Sequence, residues 1–431
     1  MHPFAEAGAT LTLRESMTAH HHPQPLAAVA TPPFAPSMGA TPGLGGTTDV
    51  YYEWWNVDLV RKLYRQLGKE ERAAVARVRE EAVPWKHPRT GEMRKRPTAA
   101  EKLVQKKRER RERLRLMSER FNKYEEDAAC IVLERNGKPT TDGPRKFWFK
   151  GKMRFVKLDY ARMKKSGIGR RYPKNAPAIW KVGDEFMGEQ DRLLAATAQG
   201  MPRDVRKFCL PFLHDIDLKA CHPAILASKA RQYGVKVPQL DWYVKHTDDL
   251  RQMVMELHGV GKDQAKTLFT LLLYGGSYTH RIEKWGRKGN EAEPIAAVKK
   301  LERELRALRD AVMARAELAH LVQPIFAAEK QRKSNFADRC KTDEEANRST
   351  WSQITQAWED EALGCIQKAV EASGLVVHSL MFDGLMVYHD PRIDLQAAMD
   401  AAANRIRTET GMVLALEEKE LFDQERTDAL V

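Results

Sequence analysis

An α+β fold is predicted by the succession of patterns after Arg203: a strand, helices, a hairpin, a helix and a closing strand. Three observations carry it. An apolar run leads to Asp217, a second surrounds Asp383, and apolar residues at steps of three and four mark the helices between and after them. The 431 residues can hold two or three domains, and a hydrophobic content of 42% is enough for packed cores.

Residues 1–48 are rich in Ala, Pro, Gly, Thr and His, with too few large apolar side chains to offset the entropy of ordering, so a disordered tail is expected. His20, His21 and His22 read there as a solvated tract before they read as a metal site. Order is expected to begin at Tyr51, Tyr52, Trp54 and Trp55, followed by helical spacing through Leu59, Leu63 and Leu67. Pro97 and Thr98, with Glu101 three residues on, open a helix running to Phe121. Lys106, Lys107, Arg108, Arg110, Arg111, Arg113 and Arg115 surround it, a density that suits tracking a phosphate backbone. Glu/Arg pairing on an exposed helix accounts for the same residues. From 143 to 182, basic residues alternate with Phe147, Trp148, Phe149, Phe155, Tyr160, Tyr172 and Trp180, which either stack bases or fill a core.

Phe208 to Leu218 reads as a strand, Pro223 to Tyr233 as a helix, and Asp249 to Tyr274 as one or two helices. Pro294 to Val322 reads as one amphipathic helix through Val298, Leu301, Leu305, Leu308 and Val312. Trp351 to Ser373 is a further helix, Leu375 to His389 a hairpin, Leu395 to Thr410 a helix and Met412 to Leu416 the closing strand.

Lys and Arg outnumber Asp and Glu by 72 to 59, a formal charge of +13 concentrated before residue 210, which points to a polyanionic partner. Cys130, Cys209, Cys221, Cys340 and Cys365 are scattered and read as reduced packing residues. No run of eighteen apolar residues and no signal-peptide pattern is present, so a cytoplasmic protein with no membrane partner is expected, in a bacterial or phage-infected cell.

The chemistry is read from three places. Lys262, Lys266, Thr270 and Tyr274 are four apart and share one helical face. At about 1.5 Å per residue, Lys266 and Tyr274 lie roughly 12 Å apart, about the reach of a nucleotide from phosphates to base. Asp217 ends an apolar run, and Asp383 sits between two others. Two such carboxylates can hold paired divalent ions for in-line attack on a phosphate. Each feature also has a plain structural reading: an amphipathic helix ending at Gly275, a helix cap, and an Asp-Gly hairpin turn.

The run Ala-Lys-Thr-Leu-Phe-Thr-Leu-Leu-Leu-Tyr-Gly (265–275) resembles the fingers helix of family A DNA polymerases and phage-type single-subunit RNA polymerases, with Lys266, Tyr274 and Gly275 on the motif. Lys262 stands where those enzymes carry Arg, a point charge in place of a bidentate fork. Phe269, Thr270 and Leu271 replace the Asn-Phe-Gly of the DNA polymerases. Asp217 is similar to the first catalytic aspartate of the palm, and His222 falls at the residue that faces the sugar of the incoming nucleotide. The His-Pro-Ala-Ile-Leu continuation also resembles the Tyr-Pro-Ser-Ile-Ile of family B. Asp215 competes with Asp217, but the alternation from Ile216 and the offset to Pro223 favour Asp217. Asp383 resembles the Asp of the His-Asp-Glu hairpin, here Phe382, Asp383 and Gly384.

The resemblance covers about 200–431. It implies a right-hand polymerase with an antiparallel-sheet palm, helical fingers and an N-terminal helical, thumb-like region. The expected divisions are 1–48 tail, 49–200 basic helical thumb-like region, 201–248 first part of the palm, 249–345 fingers and 346–431 second part of the palm. By resemblance, Asp217 and Asp383 would hold two Mg²⁺ (or Mn²⁺), and Lys262, Lys266, Tyr274 and His222 would bind the nucleoside triphosphate. Arg203, Arg206, Lys106, Lys107, Arg110, Arg111, Gln353 and Gln356 would contact a DNA template and primer, or RNA, with other replication proteins as further partners. The segment before 200 is short and basic, and no proofreading nuclease is expected in it. A primase or RNA polymerase using ribonucleotides remains an alternative, as does a non-catalytic nucleic-acid-binding protein with a palm-like fold.

Overall fold

The computed structural model describes residues 49–75, 83–86, 93–96, 99–121, 125–127, 130–133, 145–148, 152–162, 169–174, 178–182, 190–334, 339–419 and 421–423. The expected tail, His20 to His22 and the Pro97–Thr98 helix start lie outside these residues. Among the described residues every strand pair is antiparallel.

Among the described residues before 200 the chain is not mainly helical, which corrects the expectation. Strands β1 (Asp49–Asn56), β2 (Val83–Lys86), β3 (Met93–Arg96), β4 (Glu125–Asp127), β5 (Cys130–Leu133), β6 (Arg145–Trp148), β7 (Lys152–Arg162), β8 (Arg171–Pro173), β9 (Ala178–Val182) and β10 (Gln190–Ala195) accompany two helices, α1 (Val57–Val75) and α2 (Ala99–Arg120). The aromatic cluster forms β1 because its rings line a sheet: β1 pairs along its whole length with β7, and Tyr51, Trp54 and Trp55 are fully buried. Phe155 and Tyr160 belong to that core and are therefore unavailable for stacking bases. Their rings lie about 5 Å from those of Trp54 and Tyr51 respectively.

The rest of the chain follows as α3 (Arg203–Cys209), β11 (Leu213–Leu218), α4 (Cys221–Gln232), α5 (Pro238–Lys245), α6 (Thr247–His258), α7 (Lys262–Leu273), α8 (Tyr278–Lys284), α9 (Ala296–Met313), α10 (Ala319–Lys330), α11 (Asp343–Ala372), β12 (Val377–Leu380), β13 (Gly384–Tyr388), α12 (Leu395–Thr410) and β14 (Leu416–Lys419). Four boundaries differ from expectation. Phe208 and Cys209 end a helix, because Pro211 separates them from the ladder that begins at Leu213. The single helix over 294–322 is two, α9 and α10, joined by a short 3₁₀ turn. Helix α11 starts eight residues before Trp351, at a capping box in which Thr342 and Glu345 bond each other's backbone N–H. The closing strand begins at Leu416, where the expected one ends.

The C-terminal sheet has the order β12-β13-β11-β14, so β11 is central and the hairpin β12–β13 lies on one side of it. Helix α11 packs against β12, β13, α4, α10 and α12. It carries buried Trp351, Ile354, Trp358, Leu363 and Ile366 into the core. No helix among the described residues is long and apolar enough to cross a membrane.

One buried acid joins the N-terminal sheet to the rest. Glu53 of β1 is fully buried and accepts hydrogen bonds from the Tyr160 hydroxyl and the Ala198 N–H, both at 2.8 Å. Burial pushes its carboxyl from the ordinary 4.5 to about 7. The stability associated with this group is therefore complete below pH 4.5 and lost as pH rises through 7, by about 3 kcal/mol. Glu53→Gln should flatten that dependence: in urea unfolding from pH 5 to pH 8, wild type should lose stability relative to the variant. Parallel profiles would contradict the assignment.

Candidate active site

Strand alternation sends Asp215 and Asp217 to the same face of β11, and the ladder sets what they meet. Asp217 lies opposite Gly384 of β13 on one side and Glu417 of β14 on the other. The Leu218 N–H donates to the Asp383 carbonyl at 2.9 Å, so Asp383 leads directly into the pairing. The two aspartates singled out by sequence are thus brought to one end of two neighbouring strands. Gly384 makes this approach feasible, because a Cβ there would stand 2.0 Å from the Ile216 carbonyl oxygen and 2.8 Å from Asp217 Cα.

The surroundings are strongly charged. Burial, and then the Glu359 carboxylate, push Asp383 above its usual range. Burial likewise raises Asp215, against the pull of Arg206 and Lys419. Lys419 forms an ion pair with Asp217, and Arg206 lies 3.6 Å from Asp215. Phe382, just before Asp383, has the Arg170 guanidinium over its ring at 4.7 Å and the Tyr172 ring at 5.3 Å. These contacts fix the turn that carries Asp383.

Beyond Asp217 the chain bends through Ala220, a non-glycine residue in the left-handed region at φ 46°, into α4. That bend places His222 beside three partners. The Tyr274 hydroxyl is 3.2 Å from its ring nitrogens, Glu359 Oε1 is 3.3 Å from Nε2, and an Arg170 nitrogen is 3.5 Å away. Arg170 grips both oxygens of Glu359. Although burial works against it, these hydrogen bonds from His222 and Arg170 hold the Glu359 carboxyl below its usual range. The next residue, Asp360, is held by Arg162 and Arg171.

Helix α7 presents Lys262, Lys266 and Thr270 to solvent and buries Ala265, Leu268, Phe269 and Leu272. Gly275 at φ +80° ends it in a Schellman turn, with Gly276 N–H to the Leu271 carbonyl and Gly275 N–H to that of Leu272. Tyr274 is thereby aimed at His222. Burial raises the Tyr274 hydroxyl well above its ordinary value, so it remains protonated.

The other expected nucleic-acid contacts divide. Gln353 is buried and donates to Glu329, while half-buried Gln356 donates to Ser352. Gln353 still borders a cleft of about 340 Å³ beside Tyr274, with Arg332, Lys341, Arg348 and Ser352 in its wall. On α2, Lys107 pairs with Glu70, Arg108 and Arg111 with Glu71, and Arg110 with Asp204. Much of its basic density thus holds α1 and α3, while Lys106 is exposed. Cys340 is exposed, not a packing residue.

Two residues absent from the sequence reading, Arg170 and Lys419, touch the site. Arg170 lies in the sequence Gly-Ile-Gly-Arg-Arg-Tyr-Pro, where paired arginines follow two closely spaced glycines, which was the available signal. Lys419 gave none, since its role depends on the register of β14.

Carboxylate oxygens are the hard donors that Mg²⁺ or Mn²⁺ prefers, and Asp217 and Asp383 supply them from neighbouring strands. A second donor group, Cys221, His222 and Glu359, has ligand atoms all within 4.8 Å of one another. The Arg170 guanidinium already serves Glu359 as its cation there.

No family model matches the chain. A stretch of 64 residues is 38% identical to the putative helicase V13 of Sputnik virophage, covering 15% of this chain and 8% of that protein. The chain thus matches less than a tenth of that relative's length. Among solved structures, the POL domain of Pol1 from M. smegmatis, in complex with DNA primer-template and dNTP, is similar at a TM-score of 0.46 and 11% identity. That alignment covers 85% of this chain and 66% of the other.

Gly384→Ala should separate β13 from β11 at the site. An unfolding free energy lower by about 2–4 kcal/mol is expected in urea titration, and an unchanged midpoint would refute the close approach.

Proposed function

We propose that this chain is a template-directed nucleotidyltransferase, a DNA polymerase that adds nucleotides to a 3′ hydroxyl. The observation that carries the reading is the pairing of Asp217 directly against Gly384, with Asp383 beside it. In this reading Asp217 and Asp383 hold two Mg²⁺ ions. Magnesium, when bound, supplies activation of the hydroxyl and neutralisation of the phosphates.

The chain's own residues do the rest. Lys262 and Lys266 lie on the exposed stripe of α7 and offset the charge of the β and γ phosphates. Tyr274, at the end of the same stripe, covers the nascent base pair. His222, held by Tyr274 and Glu359, faces the sugar. Its Nε2 lies 3.3 Å from the ionised Glu359 and the Tyr274 hydroxyl lies 3.2 Å from both ring nitrogens, so in this reading a sugar hydroxyl meets the His222–Tyr274 pair together. In this reading exposed Arg203 contacts the primer strand, while Arg206, nearly buried beside Asp215, offsets the charge of the carboxylates instead of reaching nucleic acid. Exposed Lys106 and the basic cleft beside Tyr274 give the phosphate backbone further contacts.

Asp217→Asn and Asp383→Asn should each abolish primer extension, by at least about a thousandfold, while template affinity changes little. Extension assays with dNTPs and with rNTPs, with and without primer, measure this and identify the sugar and the mode of initiation. Undiminished extension by either variant would refute the assignment. Chelation by EDTA should stop the reaction, and added Mg²⁺ or Mn²⁺ should restore it.

A further inference from the structure

The last strand among the described residues, β14, matters through its register. Lys419 of β14 is the cross-strand partner of Asp215, so both side chains lie on the face that Asp217 shares. From there its ammonium reaches diagonally to Asp217 Oδ2. Asp215 feels Arg206, Lys419, Arg203 and Asp383, and Lys419 in turn feels Asp215, Arg203 and Arg206, while its ammonium pairs with Asp217. Asp383 raises Asp215 by like-charge repulsion, and carboxylates gathered on one sheet face need compensating charge whenever no metal is bound.

On the footing of the polymerase reading, we propose that Lys419 is an internal counter-cation. It occupies the Asp217 carboxylate in the metal-free protein and must be displaced for a divalent ion to bind. It is suited to leaving. A lysine offers a single point charge on a flexible stem, with no bidentate fork to give up. Its side chain is 35% exposed, so water is available to receive the ammonium when it swings away, whereas Arg206 is only 11% exposed beside Asp215. Lys419 is therefore a positioning residue that sets the concentration of metal at which the site fills.

The test is Mn²⁺ binding to the full chain, followed by electron paramagnetic resonance, for wild type, Lys419→Met, Lys419→Arg and Asp217→Asn. Removing one of two cations that compete for a carboxylate should tighten Mn²⁺ binding by about five- to tenfold in Lys419→Met. Lys419→Arg should bind as weakly as wild type or more weakly, and Asp217→Asn should lose the site. A purely structural role for Lys419 would not improve metal affinity. If Met disturbs the fold by circular dichroism, Lys419→Gln carries the same expectation. Affinity that is unchanged or weaker in the neutral variants, while Asp217→Asn still loses the site, would overturn the role of Lys419 and leave the metal site standing. Absence of any Asp217-dependent Mn²⁺ in wild type and neutral variants alike would remove both readings.

Discussion

Everything at the site depends on how closely β13 lies against β11. At Gly384 the two backbones approach until no room remains for a Cβ. That contact is why two acids far apart in sequence reach the same point. The approach opposes electrostatics, since buried carboxylates of like sign repel, and burial lifts both Asp215 and Asp383 above their usual range. The surrounding cations offset this: Arg206 beside Asp215, Lys419 on Asp217, and Arg170 against the Asp383 turn.

Distant segments meet through one polar chain of side chains. Arg170 comes from the N-terminal part, His222 from the helix after Asp217, Tyr274 from the end of α7, and Glu359 from the middle of α11. Glu359 is fully buried and accepts from both His222 and Arg170, so neutralising any one member leaves a partner unsatisfied. The network ties the orientation of Tyr274 to that of the strand bearing Asp217. Helix α7 and the C-terminal sheet are thereby coupled through His222 and Glu359.

The residues with strong local patterns were legible in the sequence. Spacing by four placed Lys262, Lys266, Thr270 and Tyr274 on one helical face; the first three are exposed on α7, while Tyr274 follows the helix and is half-buried against His222. Apolar runs located the central strand and the hairpin, and the bounds of α12 came out as expected. What failed depended on long-range pairing. The aromatic-rich segments before residue 200 form a sheet because β1 finds β7 about a hundred residues away, which periodicity cannot reveal. Basic residues on α2 looked free because their partners Glu70, Glu71 and Asp204 lie on other helices. Lys419 was invisible because one residue of register decides which face of β14 it occupies.

The most direct measurement is a crystal structure of the chain with a primer-template, a non-hydrolysable nucleoside triphosphate and Mn²⁺, with the metal located by its anomalous scattering. The account requires an anomalous peak between Asp217 and Asp383, about 2.0–2.3 Å from an oxygen of each, with the triphosphate against Lys266. Manganese bound elsewhere, with those two carboxylates free of it, would contradict the account.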